Sequence, residues 1–312
     1  MRPLKGHQRE HIAAWLFLLP NLIGFLLFTL APICGSFFLA FTEWDLFSPP
    51  AFVGLAHFKA MLLNPDFWRF FWNTIFLMAG IPVSVACSLG LALLMKDRLP
   101  GIGLLRTLFF LPSISSGVAL FILWRWIFNP DFGLMNQMIL GVHGWLADSL
   151  SLVGIHLAPF DPPKWLVSTA WAKPALILMG IWISAGGPNM ILYIAGLQQI
   201  PPELIEAASI DGGSRWVIFR DITWPMLSPT TFFIIVMSVI GGLQGGFEQA
   251  YIMTQGGPAG ATTTLSYYIY DKGFEWFEMG YASAVAWFLF LIVFLVTAIQ
   301  WKYGRSAETF IG

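Results

Sequence analysis

The sequence predicts an all-α integral membrane protein of about six transmembrane helices, and three observations carry that expectation. Of its 312 residues 57% are hydrophobic and only 11% charged, with a mean hydropathy of +0.72, whereas about a quarter of an average soluble domain is charged. Apolar runs recur at about 12–40, 71–95, 107–128, 174–195, 227–251 and 279–301, and about 20 residues suffice to cross a bilayer as a helix. Alternating the runs across a membrane also sorts the basic residues unevenly between the two sides.

In chain order, Arg2, Lys5 and Arg9 precede the first run, leaving 1–11 as a short polar N-terminus. That run is longer than the 7–15 residues of a signal-peptide core, and Ala31-Pro32-Ile33-Cys34 has a bulky Ile where lipoprotein cleavage needs a small residue. An uncleaved first helix is therefore expected. Glu43 to Arg69 is a mixed aromatic and polar connection before the second span, which ends at the basic turn Lys96-Asp97-Arg98-Leu99-Pro100-Gly101. The third span closes on Trp124, Arg125 and Trp126, residues that anchor a helix at the lipid–water interface. Asn129 to Lys173 is the longest extramembrane stretch, and its His143 and His156 read as surface residues. Pro174–Ala195 and Leu227–Tyr251 are the fourth and fifth spans. The sixth ends at Lys302 and Arg305, with 303–312 as a tail.

Between the fourth and fifth spans lies a polar passage, 201–225. Pro201-Pro202 suits the first turn of a helix, where a missing N–H costs nothing. Glu203 and Glu206 complement the positive end of its dipole. Gly212-Gly213 can end it in the left-handed conformation, and Ser214 can cap a second short helix bearing Trp216, Phe219 and Ile222 on one face. With the N-terminus inside, Arg2, Lys5, Arg9, Lys96, Arg98, Arg106, Arg215, Arg220, Lys302 and Arg305 face the cytoplasm, and Lys59, Arg69, Arg125, Lys164, Lys173 and Lys272 face out. The same orientation puts this hairpin in the cytoplasm.

Several classes are disfavoured. A net charge of -1 without a Lys/Arg cluster leaves no footprint for nucleic acid. Cys34 and Cys87 lie in apolar runs and read as packing residues. The five histidines lack metal-site spacing, and no GxxxxGK[ST] cradles phosphates. No cofactor is expected on this chain, and an enzyme would need a catalytic constellation that the spans do not offer.

A charge at mid-membrane costs about 2.5–3.5 kcal/mol on the insertion scale, so polar residues in the spans need a reason. Gln244, Phe247, Glu248 and Tyr251 fall at i, i+3, i+4 and i+7 of the fifth span. Trp182, Gly186, Asn189 and Tyr193 fall at i, i+4, i+7 and i+11 of the fourth. Each set would share one helix face. Aromatic rings beside amide and carboxylate groups suit a sugar, whose C–H face stacks while its hydroxyls need donors and acceptors. The alternative is that these polar groups bond neighbouring helices. Gly241-Gly242 and Gly245-Gly246 read as close-packing pairs, and Gly186-Gly187-Pro188 as a loosened or kinked segment.

Glu206-Ala207-Ala208, then Asp211-Gly212, then Phe219, Ile222 and Pro225 resemble the "EAA" loop of permease subunits of bacterial ATP-binding-cassette (ABC) importers, maltose-type and carbohydrate-uptake permeases among them. The match covers about twenty residues at fixed spacing. Gly213 and Trp224 depart from it, where the family usually has Ala and Leu; a looser turn or altered packing is expected there. Phe52-Val53-Gly54-Leu55, Phe67-Trp68 and Asn73-Thr74 resemble the first external loop of the sugar-type members, as do Gly256-Gly257-Pro258, Thr262 to Thr264 and Tyr268-Ile269-Tyr270 their later outward segment. The resemblance implies a MetI-like permease fold in the bacterial inner membrane, both termini cytoplasmic. Glu206, Ala207, Ala208, Asp211, Gly212, Gly213 and Pro225 would then couple it to a cytoplasmic ATPase dimer, which binds ATP and Mg. It further implies a second homologous permease, an extracytoplasmic solute-binding protein and a surround of membrane lipid. It also implies a sugar mid-membrane against the helices flanking that loop, which carry the faces read above as a substrate pathway: Trp182, Asn189, Tyr193, Gln244, Phe247, Glu248 and Tyr251. A glycerol phosphodiester is the nearest alternative cargo, disfavoured by the few basic residues in the spans. A stand-alone carrier would predict two similar halves, and none is evident.

Overall fold

A computed structural model describes residues 6–96 and 100–308. Arg2, Lys5, Asp97, Arg98 and Leu99 lie outside the described residues, as do the side chains of Arg9 and Arg305.

The first apolar run consists of α1 (Gly6–Phe25), a π turn at Leu26–Leu30 and α2 (Ala31–Leu39). The Ala31 N–H reaches back to Leu26 O, one residue before Pro32. A proline ring crowds the carbonyl four residues back and offers it no N–H, and a widened turn just upstream relieves that crowding. A short antiparallel ladder, β1 (Thr42–Glu43) with β2 (Ala51–Phe52), and α3 (Ala56–Leu63) follow. The second run spans Pro65–Leu94 as α4 (Pro65–Leu77) and α5 (Gly80–Leu94), starting earlier than the apolar pattern indicated.

The third run corrects the expectation of one straight span over 107–128. It divides into α6 (Ile102–Ile114) and α7 (Gly117–Ile127), bent by 97°. Pro112 removes a helical N–H, and Ser115 and Ser116 adopt ψ of 154° and 124°, outside the helical region. The long connection after it then forms α8 (Leu134–Ser151), a helix the sequence left unassigned. In it Asn136 donates to Pro130 O and Pro163 O and accepts from Trp165 Nε1 at 2.7 Å, so one buried amide closes the loop.

The fourth run is α9 (Ala172–Ala185) and α10 (Pro188–Gln198), interrupted at Gly186-Gly187. Then come α11 (Pro202–Ile210), α12 (Arg215–Ile218), a π turn at Phe219–Thr223, α13 (Trp224–Gln244), α14 (Phe247–Met253), α15 (Leu265–Tyr270) and α16 (Met279–Glu308). Among the described residues five helical stretches are long and apolar enough to cross a membrane, or six with the bent pair counted as one.

Two compact units are formed, Met1–Asn64 with Ile269–Phe288, and Pro65–Tyr268 with Leu289–Gly312. The larger holds two cores. One joins Val85, Leu89, Met190, Tyr193, Leu227 and Ile234 from α5, α10 and α13. The other joins Trp124, Phe128, Trp165, Leu176, Met179 and Met253. Lipid is as apolar as leucine, so helices associate through close packing at small residues. A Cβ at Gly196 would stand 2.9 Å from Thr230 Oγ1, and one at Gly80 3.1 Å from Ile177 Cγ2. Cys34 and Cys87 are free thiols and, contrary to expectation, exposed on the isolated chain. In the smaller unit Met279 N–H donates to Trp44 O at 3.1 Å, beside a turn gathered on the Asp45 carboxylate.

Candidate functional site: a polar cavity and an acidic hairpin

The hairpin begins with Pro202 at the first helical position of α11. Its end is a Schellman turn. Gly212, at φ +79°, donates to Ser209 O at 3.2 Å, and Gly213 N–H donates to Ala208 O at 2.8 Å. A Cβ on Gly213 would stand 2.7 Å from Ala208 O, so glycine fits a tight turn here, not the looser one expected. Ser214 Oγ accepts from Val217 N at 3.3 Å and caps α12. That second helix does not end before the fifth run but continues through the π turn into α13. The chain is helical from Arg215 to Gln244, and Pro225 lies inside this stretch instead of closing the loop. A π turn again precedes that proline, with Trp224 N–H reaching Phe219 O.

Glu206, Ala207, Asp211 and Gly212 are exposed and Ala208 is half-buried. Ile210 is 87% and Trp216 66% exposed, so two large apolar side chains stand beside two carboxylates. Such a surface suits a protein partner better than water.

Within the larger unit a cavity of about 650 Å³ opens between α4, α5, α7, α9, α13 and α14, within the size range of small-molecule sites. Its polar lining is Thr74, Ser84, Ser184, Ser238, Gln244, Glu248, Gln249 and Thr264, and its walls include Phe121, Phe247, Ile177, Gly180 and Gly241. Broken helices shape it. α13 ends at Gln244 because Gly245 is extended and Gly246 sits at φ +86°, where a Cβ would stand 2.8 Å from Thr264 Cγ2. The helical register drawn from Gln244 to Tyr251 therefore does not hold. The break itself brings Gln244, Phe247 and Glu248 to the cavity, and Ser266 Oγ donates to the freed Gln244 carbonyl at 2.7 Å. Glu248 opens α14 with its carboxylate against Gly117, the first residue of α7; a Cβ there would lie 3.1 Å from Oε2.

The other expected pathway residues stand elsewhere. Tyr251 stacks on Phe247 at 5.5 Å, lies 6.1 Å from the Tyr267 ring and does not line the cavity. Trp182 packs edge-on against Trp124 at 5.4 Å and does not line the cavity. Asn189 falls beyond the Gly186-Gly187 break, in the first turn of α10. Tyr193 is fully buried and donates to Thr231 Oγ1 at 3.2 Å. It lines a separate apolar cavity of about 450 Å³ with Leu89, Trp224 and Ile235. The interruption in the fourth run undoes the register joining these three.

Other wall residues were missed although their spacing carried a signal: Ile177, Gly180, Ile181 and Ser184 recur at i, i+3, i+4 and i+7 on α9. All four glycines of the two pairs line the cavity, and Gly242 also packs closely on α4–α5, a Cβ built there standing 3.0 Å from Met78 Cγ. One rim is pinned from far away in sequence. Asn73 Nδ2 donates to Gly260 O and Thr263 O, both at 2.9 Å, and Thr74 Oγ1 accepts from Leu265 N at 2.9 Å. Two segments likened above to loops of sugar-type permeases thus meet.

Comparison with known proteins agrees. The chain matches the family "Binding-protein-dependent transport system inner membrane component" over residues 80–305. It is 37% identical to the probable ABC transporter permease protein YesP of Bacillus subtilis, covering 97% of this chain and 93% of that one. It is 34% identical to the lactose transport system permease protein LacF of Rhizobium radiobacter, covering 95% of each. A chain in the crystal structure of the bacterial alginate ABC transporter, in complex with alginate pentasaccharide-bound periplasmic protein, superposes with a TM-score of 0.77 at 25% identity, covering 96% of each chain. A family match over most of the length, to relatives of nearly equal size, leaves one assignment: this chain belongs to the binding-protein-dependent transport components, as a multi-pass permease subunit of an ABC importer and not an enzyme.

Proposed function

We propose that this permease carries a carbohydrate or glycoside through the bacterial inner membrane, with both termini in the cytoplasm. It would supply half of the pathway beside a second homologous permease. Substrate would arrive from an extracytoplasmic binding protein, and a cytoplasmic ATPase dimer holding ATP and Mg would grip the hairpin. The observation that carries the reading is the 650 Å³ cavity, where the Phe247 ring stands among Gln244, Glu248 and hydroxyl side chains. An aromatic face with hydrogen-bonding neighbours matches the two sides of a sugar ring. The kinship with a lactose permease and an alginate transporter supports it.

Mechanistically, closure of the ATPase would move α11 and its Schellman turn as one lever. The helix running unbroken from Arg215 would pass that motion to Gln244, at the cavity. The test is uptake by cells carrying the whole transporter. Gln244→Ala and Phe247→Ala should each lower it about tenfold with assembly intact. Undiminished uptake in both would refute a sugar path along this wall.

A further inference from the structure

The cavity wall is uneven in charge. Among the described residues lining it there is no Lys, Arg or His, and Glu248 is the one formally charged side chain. We propose that Glu248 is a specificity determinant that turns away anionic sugars and selects an electrically neutral glycoside, an inference that rests on the carbohydrate reading above.

The geometry that presents Glu248 is built, not incidental. Gly246 at φ +86° restarts the chain so that Glu248 falls in the first turn of α14. Gly117 has no side chain to hold the carboxylate away. Ser116 precedes α7 without capping it through its hydroxyl, so the first amides of that helix favour negative charge at this spot. Toward a neutral sugar the carboxylate is an asset, since it accepts two hydroxyl hydrogen bonds of the stronger, charge-assisted kind. Toward a uronate or sugar phosphate it is a barrier. Two like charges roughly 6 Å apart, at an effective dielectric of about 20, weaken binding by about a hundredfold, and this half of the wall holds no cation to offset that.

The test uses sugars that differ only at one carbon. The permease, purified with its partner subunits in nanodiscs and without the binding protein, is titrated with 4-nitrophenyl glucosides and galactosides. The matching glucuronides and galacturonides, with CH2OH replaced by a carboxylate, are titrated in parallel. The wild type should prefer the neutral member of a pair by tenfold or more. Glu248→Gln should shrink that preference about tenfold through tighter uronate binding, and Glu248→Asp, which keeps the charge, should retain it. A wild type that binds the uronates equally well overturns the proposal without any variant. So does an unchanged ratio in Glu248→Gln. If no sugar of either kind binds, the carbohydrate reading falls and this inference with it; neutral binding with an unchanged ratio removes the charge filter alone.

Discussion

Asn73 shows how much one buried amide can hold. Its Nδ2 satisfies two carbonyls on a loop nearly two hundred residues away. Asn73→Asp keeps the shape but turns the donor into an acceptor facing two other acceptors. Leaving buried carbonyls unpaired costs about 1–3 kcal/mol, more beside a charge. We expect a clear fall in the thermal midpoint of the detergent-solubilised protein, and Asn73→Ala should be milder. Asp45 offers a pH-dependent counterpart at the surface. Its carboxyl is held at about 2, below the ordinary 3.8, first by the Ser48 hydroxyl and then by the Ser48 and Phe47 backbone N–H groups. A depressed value stabilises the turn fully above the unfolded value and is lost as pH falls through the folded one. The emission of neighbouring Trp44 should therefore be flat near neutrality and shift only as pH drops from about 4 toward 2. A change centred near neutral pH would contradict this.

At the scale of elements, helix ends and breaks matter more than helix middles. Gly186 ends α9 where the Phe109 carbonyl of α6 comes closest; a Cβ built there overlaps Phe109 O. Gly186→Ala must push α6 aside, and overpacking of that kind costs about 1–3 kcal/mol. Gly90, in the middle of α5 with open space around it, should accept alanine at no loss, since alanine favours helix over glycine by about 1 kcal/mol. Parallel thermal unfolding of the two variants checks this. Equal midpoints would mean that α6 yields freely at the contact.

For the whole molecule, one helical stretch, Arg215–Gln244, joins the hairpin to the cavity, and the proposed mechanism uses it to link the two. The carboxylates of Glu206 and Asp211 make no hydrogen bond or ion pair among the described residues, so removing one should spare the fold. We expect Glu206→Ala to leave membrane levels unchanged while reducing ATPase recovered on the purified permease several-fold. Unaltered recovery together with unaltered transport would detach the hairpin from coupling.

Composition and run length alone determined that this chain is a helical membrane protein. Local chemistry determined the hairpin, because proline at a helix start, glycine at its end and serine at the next cap act within a few residues. That information is local, and sequence carries it as far as the cap of α12, though not the run of helix on through Pro225. The cavity wall was another matter. Periodicity presumes an unbroken helix, and the chain breaks at Ser115-Ser116, Gly186-Gly187 and Gly245-Gly246. Each break rotates the residues beyond it, so Asn189, Tyr193 and Tyr251 left the face assigned to them, while Trp182, ahead of the break on α9, packs on Trp124, and Gln244, Phe247 and Glu248 met at the cavity. Only tertiary packing decides how far such a break turns the chain, because the contacts that set the angle, such as Gly246 on Thr264 or Gly186 on Phe109, lie between segments remote in sequence.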